Sequence, residues 1–122
     1  MDLDELLTAL RTASADPVVT RLCEQLNAWK SSPSTTAELR ELVERYFGNT
    51  WIERDQEHQL AYELWSTFRD GAIEGQPGMT MNERLSAFSL LERYDAAREE
   101  NTKATVLAKL RTPEEWQRGL GQ

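Results

Sequence analysis

The chain carries few residues able to do chemistry, and their spacing narrows the options further. His58 is the single histidine among 122 residues. Asp55 stands one helical turn before it, so the two can share a face as half of a carboxylate–histidine metal site. A di-iron centre in a helical bundle needs two Glu-x-x-His motifs with further carboxylates, and zinc needs a ligand set rich in Cys and His. One His58 and one Cys23 supply neither set, so no metal ligand is assigned. Nucleophilic catalysis meets the same scarcity: any triad must run through His58, and no Gly-x-Ser-x-Gly elbow occurs. There is also no Gly-x-x-x-x-Gly-Lys phosphate loop. Cys23 lies beside an apolar stripe with no activating neighbour, which reads as a buried, inert thiol.

The remaining chemistry belongs to carboxylates. Glu38, Glu41 and Glu44 recur every third residue, and Glu92 and Asp95 stand three apart on a later helical segment. In outline this resembles the magnesium-binding pattern of all-helical nucleotide pyrophosphohydrolases. The resemblance implies a Mg²⁺-dependent nucleotide hydrolase in which Glu41, Glu44, Glu92 and Asp95 hold the ion against substrate phosphates. It covers five residues, with a longer separation between the two acidic motifs than in that family and with Arg40, Arg45 and Arg93 interleaved. A solvated face with ion pairs at i, i+4, such as Glu41 with Arg45, accounts for the same letters.

Binding residues are better represented than catalytic ones. Four tryptophans are many for this length, and tryptophan is enriched where proteins meet. Trp29 and Trp65 sit on strong apolar stripes and are expected in the core. Trp51 borders a polar run, residues 53–59, and Trp116 lies in a short C-terminal segment. The expected partner-binding residues are therefore Trp51, Asp55, His58 and Trp116, with Trp51 as anchor and the charges of the polar run setting specificity. A solvated helix end accounts for that run equally well.

These residues must be placed by helices. Leu3, Leu6, Leu7 and Leu10 trace one face of a first helix over residues 2–13. Asp16 and Pro17 open a second that carries Val19, Leu22, Leu26 and Trp29 inward to about residue 30. Thr35 with Glu38 forms a capping box for a third that closes at Gly48. Thr50 with Glu53 reads as another box, opening the longest element, residues 50–75. Its stripe is Leu60, Ala61, Leu64, Trp65, Phe68, Ala72 and Ile73. A turn follows through Gly71, Gly75, Pro77 and Gly78. Thr80 with Glu83 starts a fifth helix to about residue 100, with Leu85, Phe88, Leu91 and Tyr94 inward and Arg84, Glu92 and Arg93 in water. A break is expected near Asn101 and Thr102, and Thr112 with Pro113 caps a last turn holding Trp116 and Leu120.

The expected fold is all-α: one domain over residues 1–122, an antiparallel bundle of five or six helices built on the pairing of residues 50–75 with 80–100. A formal net charge of -7 argues against sequence-independent nucleic-acid binding. No apolar run approaches the ~20 residues of a membrane helix. A lone cysteine and no leader pattern point to a reducing cytoplasm, and eleven Arg against three Lys suggest a GC-rich bacterial genome. The expected function is protein binding without a cofactor. It would suit an immunity- or antitoxin-like inhibitor, an adaptor or a homodimer, with the Mg²⁺ hydrolase as the alternative.

Overall fold

A computed structural model describes residues 1–120, with side chains through residue 118. It contains α1 (Leu3–Ala13), α2 (Pro17–Trp29), α3 (Thr36–Asn49), α4 (Asp55–Phe68), a π turn (Arg69–Ile73), a 3-10 turn (Gln76–Gly78), α5 (Met81–Ala87), α6 (Leu91–Ala96), α7 (Glu100–Lys109) and α8 (Pro113–Leu120). The chain is all-α, with no strand among the described residues. Among the described residues, no helix is long and apolar enough to cross a membrane.

Capping chemistry sets most of the boundaries. Asp2 with Glu5, Thr35 with Glu38, Thr80 with Glu83 and Thr112 with Glu115 each close a reciprocal box at 2.8–3.2 Å. Asp16 caps α2 by accepting from the Val18 amide, with Pro17 at its first position. Such caps contribute about 0.5–2 kcal/mol each.

The predicted box at Thr50 and Glu53 does not form. Thr50 ends α3 instead, its hydroxyl donating to the Tyr46 carbonyl at 2.6 Å. The Glu53 amide donates to Asp16 at 3.1 Å. Between them Ile52 is buried in the core, which an unbroken helix from residue 50 does not permit. The fourth helix therefore starts at Asp55, behind an Arg54 that makes no side-chain cap.

Predicted helix five divides as well. Ser89 takes φ 56°, in the left-handed region, and the Leu90 amide reaches back to the Leu85 carbonyl at 2.8 Å. That reversal lets Leu85, Phe88 and Leu90 all enter the core, leaving Leu91 exposed rather than inward. Arg84, expected in water, is buried. The later break falls at residues 97–99, so Asn101 and Thr102 lie within α7.

The buried side chains form one cluster running from Leu3 to Leu110. The closest helix pairings are α1 with α4 and α1 with α2. Residues 80–90 reach α4 through Phe88, whose ring meets Phe68 edge-on at 5.6 Å and Trp29 at 5.7 Å. Trp29 and Trp65 are core residues, as their stripes required, while Leu60 lies exposed on α4.

Glu74 donates its amide to the Arg69 carbonyl at 2.9 Å, the i→i−5 bond of a π turn. The chain then folds back so closely that a Cβ at Gly75 would sit 2.4 Å from the Gly71 carbonyl oxygen. Gly75→Ala is expected to destabilise the protein by about 1–3 kcal/mol, the usual penalty for forcing a backbone apart. Gly48→Ala, where a Cβ meets nothing within 4 Å, is the control, and equal urea midpoints for the two would contradict the close approach.

Candidate functional site

The connection at residues 50–54 doubles back over the first turns of α4, and this places an indole on top of an imidazole. Trp51 stacks on His58 with ring centroids 3.9 Å apart and an interplanar angle of 22°. His58 is held from beneath: its Nδ1 accepts from the Ile52 amide at 3.3 Å. A neutral ring with Nδ1 as acceptor carries its proton on Nε2. Phe47, from the end of α3, meets His58 edge-on at 6.0 Å and Tyr62 edge-on at 5.1 Å. One face of Trp51 is thus supported by a packed aromatic series, yet the residue is 63% exposed.

The polar run around it is only partly solvated. Glu57 is half-buried and accepts from the Ser14 hydroxyl, fixing α4 to the end of α1. Asp55 is the first residue of α4 and fully on the surface, where its charge favours the helix dipole. Of the four predicted binding residues, the structure joins Trp51 to His58 and sets Asp55 one turn from that pair. Trp116 stands apart on α8, half-buried, with the Arg111 guanidinium 5.4 Å from its ring and its Nε1 lacking an acceptor.

The acids of the hydrolase pattern have different fates. Glu44 accepts from Trp65 Nε1 at 3.1 Å, Tyr62 Oη at 3.0 Å and Arg69 at 2.5 Å. Burial raises its pKa, but these hydrogen bonds together hold it below the ordinary carboxylate value. It is a tether between α3 and the end of α4. Arg69 is in turn held charged by Glu44, Asp70 and Tyr62. Glu41, Glu92 and Asp95 are exposed. No group of three His, Cys, Asp or Glu able to hold a metal occurs among the described residues. Cys23 is buried, and burial pushes its thiol pKa up, with Arg11 opposing.

Sequence reasoning missed three buried polar anchors. Lys109 Nζ donates to the carbonyls of Trp29, Ser32 and Ser34 at 2.5, 2.6 and 2.9 Å, and lies 3.7 Å over the Trp29 ring. Arg84 pairs with Glu115 at 2.6 and 2.8 Å. Gln76 donates to the Leu110 carbonyl. The signal for Lys109 was its place among Val106 and Leu110 on the inward face of α7; the other two carried none. A groove of about 450 Å³ between α2 and α3, lined by Gln25, Trp29, Glu38, Leu42 and Arg45 among others, also went unforeseen.

No protein-family model matches the chain, and neither a curated relative nor a solved structure matches it.

Proposed function

We propose that this chain acts by recognising another protein, with Trp51 as the anchor and the charged side chains at the start of α4 as its rim. The observation that carries this reading is that Trp51 is 63% exposed and yet stacked on His58. An exposed side chain ordinarily loses rotamer freedom on binding; a prearranged indole has less to lose. Large aromatics in that setting supply most of the binding energy at protein interfaces. Glu53, Arg54 and Asp55 follow the anchor closely in the chain, all exposed and of mixed charge, and such charges set partner choice and orientation. Such a surface suits a small acidic regulatory protein, an inhibitor or an adaptor.

Trp51→Ala combined with Asp55→Lys is expected to weaken partner capture at least ~30-fold, the effect of losing a hot spot of about 2 kcal/mol. The melting temperature should fall by no more than about 10 °C, since the lost stack contributes ~0.5–1.5 kcal/mol and reversing the charge at the start of α4 costs about 1 kcal/mol more. Affinity capture from the source cell, with wild type and variant compared side by side, reads the first. A thermal melt reads the second. Undiminished capture by the double variant, or a Trp51→Ala protein that no longer folds, would remove this surface as the site.

A further inference from the structure

The outer face of α3 belongs to neither the core nor the Trp51 surface, and its sequence is self-complementary. Glu38, Leu42, Arg45 and Asn49 follow at spacings of four, three and four, so they fall in one stripe along the helix. All four are exposed, and Leu42 keeps 42% of its surface in water beside the α2–α3 groove. Arg45 forms no ion pair with any described residue, although Glu41 stands one turn before it.

We infer that this face binds a second copy of the chain, α3 against α3 in antiparallel order about a two-fold axis passing beside Leu42. The charge pattern is the reason for that orientation. Glu38 and Arg45 lie on opposite sides of Leu42, so reversing one copy brings Arg45 of each alongside Glu38 of the other, whereas a parallel pair sets like charge on like. The two Leu42 side chains meet near the axis and cover the apolar rim of both grooves. A two-fold contact uses the same patch twice, which is why one stripe suffices. A single helix pair buries less than a standard interface, so the dimer dissociates on dilution. This contact is separate from the Trp51 surface, and either can fail without the other.

Sedimentation equilibrium on the whole chain from ~10 µM to ~1 mM tests it, the range a small interface demands. The wild-type average mass should climb from one chain toward two. Leu42→Asp should lower the association constant at least tenfold, as should Arg45→Glu, which sets acid against Glu38. The swap Glu38→Arg with Arg45→Glu should restore the dimer. Glu38 also closes the Thr35 cap, so helix content is checked for each variant by circular dichroism; should the swap unfold, Leu42→Asp and Arg45→Glu decide alone. A wild type that stays monomeric at ~1 mM would overturn the inference. So would a dimer that survives both single substitutions, one that a folded swap fails to restore, or one that Trp51→Ala dissolves instead.

Discussion

Lys109→Met is expected to destabilise the protein by about 3 kcal/mol or more, a large part of the 5–15 kcal/mol typical of a domain. Lys109 is 1% exposed and gives all three ammonium protons to carbonyls at the end of α2 and in the connection that follows. Burial pulls its pKa down to about 8, with Arg93 acting in the same direction and Glu38 against it. The charged form therefore still carries the three bonds at neutral pH. Methionine keeps the aliphatic stem over Trp29 but leaves the part-buried Ser32 and Ser34 carbonyls without a donor, at ~1–3 kcal/mol each, while the Trp29 carbonyl keeps the Ser32 amide and hydroxyl. Lys109→Arg should not recover the loss, because a planar fork cannot aim three protons at converging oxygens. Urea unfolding reads both: a midpoint fall of ~1–2 M is expected, and a Lys109→Met protein matching the wild type would show that the three carbonyls do not depend on it.

The second large effect concerns Arg84 and Glu115. Arg84 is 4% exposed, so Glu115→Ala leaves a buried guanidinium with the Leu110 carbonyl as its remaining partner and no countercharge, at a cost of about 3–5 kcal/mol. Replacing both, Arg84→Met with Glu115→Ala, should recover most of that, since the buried charge leaves with its partner. The pair also predicts acid sensitivity. Hydrogen bonding from Arg84 holds the Glu115 carboxyl at about 2, below its ordinary 4.5, with burial opposing and the Thr112 amide assisting. Because the folded value is the lower one, the contribution is full above pH 4.5 and disappears as pH falls toward 2. With 27% of the Glu115 side chain in water, screening trims it to about 2–3 kcal/mol. Stability of the wild type should drop more steeply over that window than stability of the double variant. Parallel slopes would mean that the pair does not titrate as described.

What could be read from the sequence was what is local. The boxes at Thr35 and Thr80 are contacts three residues apart, and they formed. Thr50 and Glu53 carry the same letters, but burial of Ile52 and the Tyr46 carbonyl claimed that stretch. Exposure of Trp51 followed from the polar run beside it. Its stacking on His58 did not, because that needs the connection to fold back over α4. Ser89 gave no warning of a left-handed turn, lacking the glycine or asparagine that usually marks one. Arg84 and Glu115 meet across 31 positions, and no periodicity reports such a distance.

Several backbone groups left open in the first half of the chain are closed by the second. The Asp4 amide, in the first turn of α1, donates to the Ser89 hydroxyl at 2.9 Å, and the Ser32 and Ser34 carbonyls just beyond α2 wait for Lys109, 77 and 75 residues on. During synthesis, helices α1 to α4 can therefore collapse around their leucines while these groups still face water or each other. Sealing comes only when the final third arrives, and it comes at both sites through contacts that close very long loops. Cut between α4 and α5, the two fragments would each retain helix-forming sequence but neither would have its partners; mixed, they hold the complementary donors and acceptors needed to rebuild one fold.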